Sequence, residues 1–260
     1  MTLAQLNIPT WAADFRPFGL LHTLTAGLFI AIMLAAIILG RKWRGTEREK
    51  ILRNQWAWFT ILWQTGAVIW WLLPANFDLG VSLPLQLCDL AVWIAPFALL
   101  TQNRTLRALL FFWGLGLSTQ AFVSPIVSGG VNTVEFWLFW VGHTQIIGSA
   151  AYDTAVLGFR PKARDFIIVS GISIAAALAM LGLDLATGTN YWFLGNSSPD
   201  KPTIVDLLGP WPLRVVWIML LGLSVMASLW GLFAAAGRLA PRSQNPSPAH
   251  ENTDRRSDRL

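Results

Sequence analysis

LPLQLCDLAVWIAPFALL, residues 83–100, is apolar enough to lie within a bilayer, yet it carries Gln86, Cys88 and Asp89 within about one turn. Cys88 is the only cysteine of the chain. An ionisable residue beside a thiol inside lipid is costly to bury, which makes the pair a candidate functional site. A second segment of the same kind, FWLFWVGHTQIIGSAAYD at 136–153, carries His143. The chain reads as a cage of membrane helices around these two segments.

Composition supports that reading. The 260 residues are 54% hydrophobic and only 13% charged, too little charge to cover the surface of a soluble domain of this size. Fifteen tryptophans against two tyrosines suit anchors at the headgroup level. The net charge of +5 does not mark a nucleic-acid protein, because the basic residues fall in short loops between apolar runs. One cysteine leaves no intramolecular disulfide and no cysteine-rich metal site, and neither metal nor cofactor is expected.

Seven apolar runs, near 18–39, 55–73, 83–100, 106–123, 136–157, 166–185 and 211–236, are each long enough to cross about 30 Å of hydrocarbon. Lipid-exposed backbone must satisfy its own hydrogen bonds, and the alternation of a barrel strand is absent, so the spans are helical. The expected fold is all-α: a polytopic, multi-pass cell-membrane protein with seven transmembrane helices in one bundle. A short lead (1–17) precedes the helical domain (18–238), and a disordered cytoplasmic tail (239–260) follows it. Arg41, Lys42 and Arg44 follow the first run with no small-residue cleavage site, so it reads as a retained helix.

All of the 19 basic residues except Arg16, Lys201 and Arg214 fall in the first, third and fifth connections or the tail. The positive-inside rule then puts the amino terminus outside and the carboxyl terminus in the cytoplasm. The outer loop at 187–210 is unusually long and is the candidate lid.

Depth ties the polar residues together. At 1.5 Å per residue Cys88 lies about 7 Å, and His143 about 10–12 Å, below the outer boundary. His22, Gln120 and Asp184 share the outer half, whereas Asp153 is the main polar residue of the inner half. Taken singly, Cys88 reads as a small buried hydrophobe, and His143 equally as an interhelical bond or as chemistry. Asp89 is a partner for His22 or His143, or an interfacial group. Gln86, Gln120 and Gln145 read as interhelical hydrogen bonds. The conjunction of thiol and imidazole at one depth points further: a neutral histidine is the usual base for a buried thiol. Asp89, Gln120 and Asn190 are the candidates for the group that orients it.

LPLQLCDLAVW, GLSTQAFVSP, VGHTQIIG and NYWFL…TIVDLLGPWP occur in that order and resemble the YwaF-like integral membrane proteins of bacteria. These are similar in turn to the eukaryotic transmembrane protein 164 family. The resemblance covers roughly residues 20–236. It implies a lysophospholipid transacylase that moves a fatty acyl chain between phospholipid and lysophospholipid without coenzyme A. Cys88 would be the nucleophile and His143 its partner, with Asp89, Gln86, Gln120, His22 and Asn190 in support. Trp192 stands where this resemblance leads one to expect methionine, and 195–202 departs from the pattern too.

On this reading His143 deprotonates Cys88, a phospholipid ester acylates the sulfur, and a lysophospholipid hydroxyl takes the chain. Gln120 or a backbone N–H would hold the oxyanion. The alternatives are a lipid hydrolase using the same pair, a haem protein ligated by His22 and His143, and a solute-binding membrane protein. A retinal protein is excluded, since Lys42, Lys50, Lys162 and Lys201 all lie in loops.

Overall fold

The computed structural model describes residues 9–127, 129–196 and 204–239. The tail from 240 onward, residues 1–8 of the lead and 197–203 of the candidate lid lie outside them. The helices are α1 (Thr10–Ala13), α2 (Leu20–Lys42), α3 (Glu47–Leu72), α4 (Leu87–Thr101), α5 (Arg104–Leu109), α6 (Val134–Ala155), α7 (Ala163–Thr187) and α8 (Leu213–Leu239). α5 continues as a π-helix over Leu110–Leu117 and a 3-10 turn over Thr119–Phe122. Two more 3-10 turns, Tyr191–Phe193 and Ile204–Leu208, lie between α7 and α8. No strand occurs among the described residues.

Each of the seven apolar runs coincides with helix. Among the described residues, three helices are long and apolar enough to cross a membrane: α2, α7 and the Leu213–Arg238 part of α8. They are also the ones with few buried residues, leaving their apolar sides facing outward. α3 and α6 are comparably long, at 26 and 22 residues, but carry more polar groups. α6 buries Thr144, Gln145, Ser149, Asp153 and Thr154 and forms the centre of the packing. α4 is shorter, at 15 residues.

α4 begins later than the apolar run it belongs to. Residues 83–86 form a turn, because Pro84 has no N–H and holds the residue before it extended. Gln86 is the N-cap, and its backbone N–H donates to Asp89 Oδ2 at 3.0 Å, one half of a capping box. The two-residue turn from α4 into α5 is equally local. Gln102 takes the left-handed conformation, and Asn103 Oδ1 caps α5 by accepting from Thr105 and Leu106 N–H.

The α5 rod is wound wide over LFFWGLGL and closes with Ser118 N–H on Trp113 O at 2.8 Å, a five-residue reach. Gly114 lets this rod approach α6 closely. A Cβ there would stand 2.9 Å from that of Ala150. Ala91, Ala95 and Ala98 of α4 are fully buried along one stripe, Ala91 clustering with Ile146 and the other two with Ala150 and Leu110. Three elements thus meet at small residues: α4, the π-wound rod and α6.

The two ends of the bundle are built differently. At the end carrying the α2–α3, α4–α5 and α6–α7 turns, ion pairs clamp neighbouring helices. Arg107 Nε reaches both Asp153 oxygens at 3.0 Å, and Arg104 forks onto Asp165. Arg53 pairs with Glu49, which also accepts from Tyr152 OH at 3.0 Å. Asp153, which reads from sequence as the main polar residue of the inner half, is one member of this set.

Candidate functional site

Cys88 is the second residue of α4, in its first turn, so it stands nearer the rim of the bundle than its position in the apolar run implies. The cause is the turn at 83–86. This placement puts the sulfur beside the N–H groups at the positive end of α4, which favour a negative charge there. Asp89, one residue on, and the surrounding apolar side chains oppose it. The N–H groups of Leu87 and Cys88 have no hydrogen-bond partner among the described residues.

The polar neighbour of the thiol is Ser118, with Sγ and Oγ 3.8 Å apart. Ser118 is fully buried at the point where the π-winding ends, and Cys88 is its side chain's hydrogen-bond partner. The sequence reading missed it. The signal was available: Ser118 lies in GLSTQAF, at the outer end of its run, as Gln120 does. Gln120 itself is exposed on the 3-10 turn, and its side chain makes no hydrogen bond among the described residues.

His143 lies on α6 with Nδ1 2.8 Å from Phe139 O, one turn earlier. A carbonyl only accepts, so Nδ1 carries the proton and Nε2 of the neutral ring keeps its lone pair. Nε2 has no hydrogen-bond partner among the described residues. The ring packs on Phe139, centroids 4.2 Å apart. α4 and α6 run in the same direction: Ala91 and Val92 cluster with Ile146, and Ala95 and Ala98 with Ala150. One turn back along both helices from Ala91 and Ile146 come Cys88 and His143, at one level. No hydrogen bond joins their side chains directly.

The remaining expected site residues hold the rim together. Asp89 serves the α4 cap and does not meet a histidine. Gln86 Oε1 accepts the Trp192 N–H at 3.0 Å, and Trp192 Nε1 donates to Leu85 O at 2.7 Å. Tyr191 OH donates to Leu79 O, and burial pushes this phenol above its ordinary pKa, so it stays a donor. Asn190 Oδ1 accepts from Gly195 N–H. His22 has Nδ1 accepting from Phe18 N–H at 2.8 Å and Nε2 on Phe122 O at 2.9 Å. Neither ring nitrogen of His22 is left for a ligand, which removes one of the two histidines that a bis-histidine site needs. No cluster of three metal-ligating side chains occurs among the described residues.

Residues 187–196 of the candidate lid therefore form a tight turn seated on the 79–86 loop, directly above the start of α4. Trp192 packs into the cluster that contains Cys88 and meets Trp113 edge-on at 6.1 Å. Trp192 and Phe193 both take positive φ, 56° and 60°, an uncommon and strained conformation for bulky residues. Asp184 of α7 holds the turn in place. Its Oδ1 accepts from Thr189 Oγ1 and from Tyr191 N–H, at 2.7 and 2.8 Å.

Asp184→Ala leaves a buried N–H without an acceptor, at a cost of about 1–3 kcal/mol, and local opening of the turn becomes correspondingly more frequent. Alkylation of Cys88 by a small maleimide is expected to accelerate about tenfold in this variant. An unchanged rate would show that the turn does not cover the thiol.

A groove of about 570 Å³ lies between α1, α2 and α6, lined by Leu21, Leu24, Leu28, Phe29, Phe136 and Trp137 among others. Neither Cys88 nor His143 borders it.

The family model described as the TMEM164 family matches residues 17–230. No curated protein and no solved structure matches the chain. With its long apolar helices, this match makes it an all-helical membrane protein. By a match that spans most of its length, the chain belongs to the TMEM164 family.

Proposed function

We propose that the protein is a cell-membrane acyltransferase that moves a fatty acyl chain from a phospholipid to a lysophospholipid through a thioester on Cys88. All seven helical rods cross the membrane. The end clamped by ion pairs faces the cytoplasm, and the rim with Cys88 faces outward, as the distribution of basic residues requires. The observation that carries the reading is the match in level between a thiol at a helix start and an imidazole whose unprotonated nitrogen is free.

The steps balance without a cofactor. The Cys88 proton leaves the sulfur for His143 Nε2, by a short excursion of the thiol away from Ser118 or through the Ser118 hydroxyl. The thiolate adds to an ester carbonyl of the donor phospholipid, and the free N–H groups of Leu87 and Cys88 receive the developing oxyanion. The C–O bond breaks, and the imidazolium returns its proton to the leaving lysophospholipid oxygen. In the second half the hydroxyl of a different lysophospholipid gives its proton to Nε2 and attacks the thioester, and the thiolate is reprotonated. The seated Trp192 turn excludes water, which would otherwise divert the thioester to free fatty acid.

Intact-mass analysis tests this directly. Full-length protein incubated with diacyl phospholipid is expected to gain the mass of one acyl chain, lost again with hydroxylamine and chased by added lysophospholipid. Protein that never acquires an adduct on Cys88 overturns the covalent scheme. Release of free fatty acid at the same rate with and without acceptor would make it a hydrolase.

A further inference from the structure

Gln145 is fully buried on α6, and neither its amide nitrogen nor its amide oxygen has a hydrogen-bond partner among the described residues. An unpaired amide inside an apolar bundle is a standing penalty unless something absent from the protein itself completes it. Two neighbours on α3 repeat the pattern. Gln64 is 7% exposed with no side-chain hydrogen bond among the described residues, and Trp63 Nε1 is buried and unpaired.

The helices bring these groups together by register. Trp56 Nε1 donates to Ser149 Oγ at 2.9 Å, and Tyr152 OH to Glu49, so α3 and α6 run antiparallel. One turn along α3 and one turn back along α6 set Thr60 level with Gln145, and the next turn sets Gln64 level with Gly142. At Gly142 an added Cβ would meet nothing within 4 Å, so no side chain packs against α6 at that point. α3 packs chiefly on α4 and only sparsely on α6, so few side chains bridge the two helices there. Gly142 immediately precedes His143, so this point lies at the height of the imidazole.

We infer that α3 and α6 enclose a neutral slot for the glycerol-ester part of a lipid, with the Gln145 amide as its recognising group and Gln64 opposite. The identity of the lipid rests on the acyl-transfer reading above. An amide offers one kind of donor and one acceptor and no charge. The ions of this seam, Arg53 and Glu49, are paired with each other several turns below. The complement is therefore neutral: an ester carbonyl accepting from the amide N–H, and a glycerol hydroxyl donating to the amide oxygen. A phosphate finds no cation at this level. A diacyl phospholipid supplies the carbonyl, and a lysophospholipid supplies both groups, so one slot serves donor and acceptor in turn.

The test uses the full-length Cys88→Ala protein, which cannot turn over, in nanodiscs. Competition against a fluorescent lysophospholipid compares a diacyl phospholipid with the dialkyl ether analogue of the same chains and headgroup, which lacks only the carbonyls. The diacyl lipid is expected to compete about tenfold better. Adding Gln145→Met, of similar volume, is expected to bring the two lipids to equal affinity. Its melting temperature should be unchanged or raised, because an unpaired amide has gone.

Equal affinity in the Cys88→Ala protein overturns the slot. So does a preference that survives Gln145→Met, which would leave water as the occupant. A lower melting temperature for Gln145→Met would give the amide a structural partner and overturn it too. Because the sulfur is absent from this measurement, the two readings fail separately. Acylation of Cys88 without an ester preference sinks the slot alone, and the converse sinks the enzyme alone.

Discussion

Cys88→Ala is expected to abolish the hydroxylamine-sensitive acyl adduct and to lower lipid turnover by at least about 10³-fold, because no other nucleophile can replace the sulfur. His143→Gln leaves the thiol in place but removes the basic nitrogen, and about 10²–10⁴-fold is expected to be lost. The two losses should not add in the double variant, since the residues act as one unit. Product analysis by mass spectrometry with isotopically labelled donor chains measures both. Both single variants should keep the wild-type melting profile within a few degrees, as neither side chain is tied to another helix by more than the weak Cys88–Ser118 contact. A protein that merely binds a lipid or solute would retain its function in Cys88→Ala, and that result would remove the enzyme reading.

The largest loss of stability is expected from Asp153→Ala. The carboxylate is 2% exposed and holds Arg107 with two hydrogen bonds at 3.0 Å, and Arg107 is itself largely buried. Removing one partner strands the other charge inside the bundle, at a cost of about 3–5 kcal/mol. Thermal unfolding in detergent should shift down sharply. The double replacement Arg107→Met with Asp153→Leu should recover most of the loss, because a buried pair exchanged for apolar groups of similar volume is close to neutral. A double variant as unstable as the single one would mean that the pair holds the helices for a reason other than charge compensation.

The positions of the helices were legible because each is written as a long apolar run, and lipid leaves such a run no other regular structure. The start of α4 was less so. The run 83–100 is continuous in hydropathy, and only Pro84 and the spacing of Gln86 and Asp89 mark where helix replaces turn. That shift carries Cys88 to the first turn. The partners of the polar residues were the least legible part. Asp153 meets Arg107, 46 positions away, and His22 meets Phe122 O, 100 positions away. Backbone carbonyls as partners leave no trace in composition. Gln120 and Ser118 are two residues apart, and the change from π to 3-10 winding decides that one is exposed and the other buried. No local propensity announces that change.

The two ends of the bundle bear on how a lipid would enter under the proposed acyl transfer. The clamp that the proposed orientation turns to the cytoplasm is ionic, and salt or a neutral lipid has little purchase on its buried pairs. At the rim, two of the donors that seat the turn rest on bare carbonyls: Tyr191 on Leu79 and Trp192 on Leu85. An arriving glycerolipid displays carbonyl oxygens of the same kind, and can compete for those donors on equal terms. Under the proposed acyl transfer the substrate is thus its own key, undoing the latch by the same bonds that would hold it.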